Sequence, residues 1–381
     1  MSDAPVYLDH AASAPLRPEA REALLPFLDG RFGNPSSIHR FGREARAALE
    51  DARARLARVI GAAPGEVVFT RAGTEADNLA VLGRARTLPG APVAVSAIEH
   101  SAVLASARAA ANEGSPLVVL PVDGDGVVRL DAVDAALQSR PAVVSVMWAN
   151  NEVGVLQPVG EVAARCRAAG VAFHSDAVQA LGKVAVRVDD VPVDLLAFSA
   201  HKVGGPKGVG ALYVRRGTRL QPLLHGGGQE RGMRPGTEDV AGAAAFAAAA
   251  EAAEAERGEA MARIGALRDR LEAGLRDAVP GLVVNAANAP RLPTVCNLSV
   301  PGADPEALLM GLDLEGIAAS SGSACSSGAV EPSHVLTAMG IVPELAGPSV
   351  RFSLGWTTTE AEIERVLRVF PRVVERARAA G

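Results

Sequence analysis

Only three lysines, Lys183, Lys202 and Lys207, stand among the 38 basic residues of this chain, which also holds only three cysteines, Cys166, Cys296 and Cys325. A guanidinium does not give up its proton, so any step that needs a free amine must fall to one of those lysines. Lys202 has the most telling setting. It closes Ser199-Ala200-His201-Lys202, directly after the apolar run VDLLAFS and before the glycine-rich GGPKGVG. A similar run, VAFHSDA, reaches Asp176 26 residues earlier, with Gln179 in the turn behind it. An amine able to form an imine, an acid to keep a ring nitrogen protonated, and hydroxyl and imidazole groups to hold phosphate are the parts an aromatic aldehyde cofactor requires. Cys325 raises a different question. It lies in SSGSACSSG, among the smallest residues, whereas Cys166 in EVAARCRAAG and Cys296 in TVCNLSV have the apolar neighbours of inert buried thiols. Ser/Gly-rich sequence makes a flexible tether, a setting unlike that of an inert buried thiol.

These residues need elements to position them. FGREARAALEDARARLARVI, residues 41–60, places Phe41, Ala45, Leu49, Leu56 and Ile60 near helical spacing and predicts an amphipathic helix. From there β-branched runs alternate with helical patterns: EVVFT at 66, VAVSAI at 93, LVVLPV at 117, VVSVMW at 143, VAFHSDA at 171 and VDLLAFS at 193. Such alternation predicts an α/β fold with a mostly parallel sheet, and ligands then collect at the carboxyl ends of the strands. Residues 241–276 are strong helix formers. The composition shifts after that segment, and a boundary near residue 250 divides the chain into a large domain, 14–250, and a smaller α+β unit. That unit comprises 1–13 and 251–381 and carries the cysteine loop at about 320–331.

The other strand ends supply matching groups. EVVFT runs into Arg71-Ala72-Gly73-Thr74, where Thr74 and Asp77 fit a capping box and the Gly73 and Thr74 amides face outward at a helix start suited to phosphate; an ordinary cap is the plainer alternative. VAVSAI ends at Glu99-His100, and VVSVMW at Asn150-Asn151-Glu152. One ligand accounts for the set, pyridoxal 5′-phosphate. Asp176 would keep its ring nitrogen protonated, Lys202 would hold its aldehyde as a Schiff base, and His100 would stack on the ring. Thr74, Ser199 and His201 would cradle the phosphate. Nucleotide alternatives fare worse, since neither GGPKGVG nor HGGGQERGMRPG matches G-x-x-x-x-G-K-[ST] and no G-x-G-x-x-G opens a helix after the first strand. Lys183 falls well past its strand end and Lys207 lies beyond a proline turn, which makes both weaker candidates than Lys202.

Composition narrows the partners. A net charge of −5 with both signs dispersed offers no basic face for nucleic acid. No apolar run reaches the ~20 residues a membrane span needs, and the opening MSDAPVYLDHAASAP lacks a secretory pattern, so a cytoplasmic protein is expected. Three distant cysteines without Cys-x-x-Cys suggest neither a disulfide framework nor an intrinsic metal site.

Taken in order, YLDHAASAP, FGNPSS, VVFTRAGTEADN, NNEVGVLQP, HSDAVQALGK, FSAHKVGGPKGVGALYVRR, HGGGQERGMRPGT, SSGSACSSG, EPSHVL and VRFSLG resemble a cysteine desulfurase of the NifS/IscS-like branch of the class V aminotransferase family, over essentially the whole chain. The resemblance implies fold type I, pyridoxal phosphate, and removal of sulfur from L-cysteine to give L-alanine and a persulfide on Cys325. It implies Lys202 as the cofactor lysine and proton carrier, Asp176 at the ring nitrogen, His100 as stacking and proton-handling group, and Gly73, Thr74, Ser199 and His201 at the phosphate. Asn151 and Gln179 would lie near the ring oxygen and the substrate, and Arg351 would pair with the substrate carboxylate. Thr237 would reach the phosphate of the other subunit of a homodimer. A sulfur acceptor such as an iron–sulfur scaffold would be the partner, with Cys325 a possible transient iron–sulfur ligand. Another enzyme of the same fold, an aminotransferase or β-eliminating lyase, is the alternative; it would have no use for the cysteine of SSGSAC.

Overall fold

The computed structural model describes residues 4–321 and 332–380. Its centre is a seven-stranded sheet built from Val67–Thr70 (β1), Val93–Ser96 (β2), Leu117–Leu120 (β3), Val143–Ser145 (β4), Ala172–Asp176 (β5), Leu195–Ser199 (β6) and Gly210–Val214 (β7). The spatial order is β1-β7-β6-β5-β4-β2-β3, and only β7 runs antiparallel to its neighbours. All of these strands except β3 are buried along their whole length, as expected of near-continuous apolar runs covered by helices on both faces.

The expected amphipathic helix spans Arg40–Ile60 and buries Ala45, Leu49, Ala52, Leu56 and Ile60. His39 caps its start by accepting the Gly42 N–H, and Gly61 ends it at φ +71°, a left-handed conformation in which a side chain would be strained. The alanine-rich segment is one helix, Val240–Ala278, so the expected boundary near residue 250 falls inside a continuous rod. Its first half, through Ala253, packs into the core against the sheet. Ile264, Leu271 and Leu275 on its second half belong to a separate core around the antiparallel sheet of Ser349–Ser353, Val295–Ser299 and Val283–Val284. One helix therefore ties the two cores together. The strand Val6–Tyr7 pairs parallel with Ile317–Ala318, which brings residues 9–12 back over the carboxyl ends of the large sheet.

Candidate active site

A cavity of about 580 Å³ opens at the carboxyl ends of β1, β2, β4, β5 and β6, roofed by Ala11, Ala12 and Arg351. Gly73, Thr74, His100, Asn151, Asp176, Gln179, Ser199, His201 and Lys202 also line it, so these expected site residues converge. Thr237 is exposed and does not line this cavity. Cys325 lies outside the described residues.

A short helical turn, Ala200–Lys202, follows β6 and swings Lys202 beneath the amino-terminal segment. Its Nζ donates to the carbonyls of Ala11 and Ala12 at 2.7 and 2.8 Å. Burial, helped by the nearby Arg351 charge, pulls this ammonium down to about 8, with Asp176 and Asp9 pulling the other way. A fraction of the amine is thus neutral near pH 7. Lys183 lies closer than the sequence suggests. It donates to Gln179 Oε1 at 2.8 Å, and burial and the Lys202 charge push it down to about 7.

Asp176 ends β5 with its Oδ1 accepting the Val178 N–H at 2.8 Å. Burial raises its carboxyl, while the charges of His100 and Lys202 and the Val178 bond hold it down. His100 caps the Ser101–Asn112 helix; its Nδ1 accepts the Ala102 N–H at 3.1 Å, so a neutral ring carries its proton on Nε2. His201 is drawn down to about 4 by burial and by Lys202, and is a neutral hydrogen-bonding group.

The helix after β1 departs from expectation. It spans Gly73–Ala85, its N-cap is Ala72 with no side-chain cap, and Thr74 and Asp77 form no capping box. The helix starts too early for that pairing; instead Glu75 reaches back to the Arg71 N–H at 2.6 Å, and Asp77 turns inward, 1 % exposed, to join the cavity wall. Without a side-chain cap, the first-turn amides at Gly73 and Thr74 are left for an anion. A Cβ on Gly73 would come within 2.8 Å of Val178 and 3.4 Å of Ser199, so glycine lets these walls close around the cradle.

Arg351 lies 4 % exposed on the strand Ser349–Ser353. Its Nη1 donates to the Asn151 carbonyl and its Nη2 to Asp9 Oδ1, each at 2.8 Å, while its buried Nε has no partner among the described residues. Such a donor suits an incoming carboxylate. His334 also lines the cavity and was missed in the sequence: its Nε2 donates to the Glu99 carbonyl at 3.0 Å, leaving Nδ1 as acceptor. Its neighbour Ser333 donates to Glu152 Oε2 at 2.5 Å, fastening the segment after residue 331 to the cavity wall. The EPSH tetrapeptide was the only signal for either.

Asp77, His100 and Asp176 present donor atoms within 4.8 Å of one another, a set that could approach a cation. The helix start, Lys202 and Arg351 around the same cavity make it instead a receptacle for anionic groups. A ligand with a phosphate, a protonatable ring nitrogen and an aldehyde fits the cradle at Gly73, the carboxyl of Asp176 and the amine of Lys202.

The aminotransferase class-V family model matches residues 6–366. A cysteine desulfurase IscS of Dictyoglomus turgidum is 44% identical over 375 residues, 98% of this chain and 95% of the relative. A solved structure described as a NifS-like protein has a TM-score of 0.91 at 34% identity, covering 98% of this chain and 100% of its own. Another, described as SspA in complex with cysteine, has a TM-score of 0.81 at 31% identity, covering 92% and 98%.

Proposed function

The chain belongs to the class-V aminotransferase family and is a pyridoxal-phosphate-dependent cysteine desulfurase acting on cysteine, and we propose that Lys202, Asp176, His100, Arg351 and Cys325 carry its chemistry. The observation that carries this reading is the convergence of a low-pKa amine, a buried carboxyl and an arginine whose buried Nε has no partner among the described residues in one cavity.

Lys202 would hold the cofactor through its amine, Asp176 its ring nitrogen and His100 one face of the ring; Gly73, Thr74, Ser199 and His201 would take the phosphate. Bound pyridoxal phosphate supplies an electron sink beside the substrate's α-carbon. Arg351 orients the substrate through its carboxylate, and Asn151 and Gln179 fix the polar edge of the site. Lys202 Nζ, neutral in part near pH 7, takes the α-proton. The Cys325 thiolate accepts the sulfur: the substrate Cβ–S bond breaks, an S–S bond forms, the electron pair stays with the carbon fragment, and protonation releases alanine. An acceptor protein such as an iron–sulfur scaffold then collects the persulfide sulfur.

The enzyme works as a homodimer in this reading. Phe32 and Ile38 are 72% and 90% exposed, and Phe32 stacks on the half-exposed Phe41. Arg46, in the helix that starts beside them, pairs with Glu238, the neighbour of Thr237. A second copy on this surface would cover apolar side chains and receive Thr237 at its own phosphate site. A cytoplasmic location belongs to the same proposal, supported by the free thiols of Cys166 and Cys296.

The test is sulfide and alanine release from L-cysteine under reductant. Wild type should form both in equal amounts, Cys325→Ala should keep the yellow cofactor and form neither at a useful rate, and Lys202→Ala should lose the cofactor's bound-state absorbance. A fully active Cys325→Ala would remove Cys325 as the acceptor.

A further inference from the structure

Against the cofactor cavity lies a buried polar chain that the proposed chemistry leaves idle. Asp77 Oδ1 approaches His174 Nε2 at 3.5 Å, and His174 Nδ1 shares a 2.8 Å hydrogen bond with Ser145 Oγ. His174 and Ser145 are fully enclosed. Neither Asp77 Oδ1 nor His174 Nε2 has a hydrogen-bond partner with good geometry among the described residues. An imidazole lone pair facing a carboxylate oxygen would leave both buried atoms unsatisfied, so a proton belongs between them.

Which group owns that proton follows from the surroundings. Asp77, His100 and Asp176 gather within 4.8 Å, and two carboxylates so close and so buried do not both ionise. Asp176 is furnished to be the anion, with the Val178 N–H on its Oδ1 and the Lys202 charge nearby. Asp77 accepts no such hydrogen bond from the described residues, and it faces Asp176 on β5 and Glu99 beyond β2, both acids. The other charged groups of its helix turn elsewhere, Glu75 to the Arg71 N–H and Arg234, Arg84 to the Ala142 carbonyl. Burial first, then the Asp176 charge, raises the Asp77 carboxyl well above the usual range. Burial pulls His174 down to about 3, so its ring is neutral.

We infer that Asp77 is a positioning residue that keeps its proton and donates it to His174 Nε2, so that the negative charge is left on Asp176 for the cofactor's ring nitrogen. His174 then carries its own proton on Nδ1 and donates it to Ser145 Oγ, which fixes the tautomer along the chain. The inference rests on Asp176 being the partner of that nitrogen, as proposed above.

The experiment is infrared difference spectroscopy of cofactor-free protein at pH 7, wild type against Asp77→Asn. The expected difference is loss of a protonated-carboxyl C=O band with the carboxylate bands intact; Glu99→Gln identifies the separate band of Glu99. Loss of carboxylate intensity instead would overturn the inference. Nitrogen-15 NMR of the wild-type His174 ring keeps the question open to refutation if Asp77→Asn does not fold. One protonated Nδ1 and one bare Nε2 are expected, and an imidazolium or a bare Nδ1 overturns it. In cofactor-free Asp176→Asn, the Asp77 band should titrate at lower pH than in wild type, because a repelling charge is gone. If loaded Asp176→Asn keeps the protonated-ring absorbance, Asp176 is not the nitrogen's partner. That outcome fails the underlying reading separately from the band result, and with it the purpose assigned to the Asp77 proton.

Discussion

Replacing Arg351 by lysine keeps the positive charge and removes the fork. Of the five N–H donors of the guanidinium, one on Nη1 goes to the Asn151 carbonyl and one on Nη2 to Asp9, which leaves three, including the buried Nε. A substrate carboxylate can accept two of these in parallel. A lysine in its place has three donors in all; with Asp9 and Asn151 still drawing on two, a single one is left for the substrate. The variant therefore forgoes one charge-assisted hydrogen bond of about 1.5–3 kcal/mol. At about 1.4 kcal/mol per factor of ten, kcat/KM for L-cysteine should fall by roughly 10- to 150-fold. The contact exists before and during the chemistry, so the loss should appear mainly as a raised KM. Steady-state sulfide release over a range of cysteine concentrations measures it, with cofactor content checked by absorbance. L-cysteine methyl ester is the control, since it lacks the carboxylate and should be processed by both proteins alike. A lysine variant within twofold of wild type, or one with the same loss on the ester, would refute this account of Arg351.

Further tests address stability, protonation and thiol reactivity. Glu230 grips the buried Arg53 through two 2.7 Å bonds and also accepts the Phe69 N–H, so Glu230→Gln leaves the guanidinium with the half-exposed Glu50 as its remaining anion and should cost about 1.5–3 kcal/mol in urea unfolding at fixed protein and cofactor concentration; a loss below about 0.5 kcal/mol would contradict it. Reconstitution of cofactor-free enzyme with pyridoxal phosphate should accelerate with pH around a midpoint near 8, because only the neutral Lys202 amine reacts, and a rate flat from pH 7 to 9 would argue against it. Burial depresses the Lys183 amine from 10.5 to about 7, so its charge is disfavoured on folding; the penalty is complete below about pH 7, fades as pH rises and is gone above 10.5. Lys183→Met should accordingly stabilise cofactor-free protein more at pH 7 than at pH 10, which thermal melts at both values would show or deny. Burial pushes the Cys166 thiol up to about 12 and Cys296 well above its ordinary value, so alkylation of native protein at pH 7.5 followed by peptide mass analysis should leave both unmodified.

The strand ends were legible because each is a local event, a short apolar run giving way to polar residues. VAFHSDA and VDLLAFS announced β5 and β6, and with them Asp176 and Lys202. Asp77 was misread for the same reason. Its spacing from Thr74 matches a capping box, and only the actual start of the helix and the strands beneath it turn Asp77 toward His174. The boundary expected near residue 250 lies inside a run of good helix formers, which has no reason to break where its buried face passes from one core to the next.

By itself, the sequence determined the alternation of strands and helices, the order of the polar groups along the chain and the few residues able to carry amine or thiol chemistry. These depend on side-chain type and on neighbours a few residues away. Tertiary structure alone decided the pairings across long separations: Asp9 with Arg351, 342 residues apart, Arg53 with Glu230, 177 apart, and the Ala11 carbonyl over Lys202. It also decided protonation, because the same lysine or aspartate changes its charge preference by how far it is removed from water and which charges meet it there. No run of neighbouring letters encodes that distance.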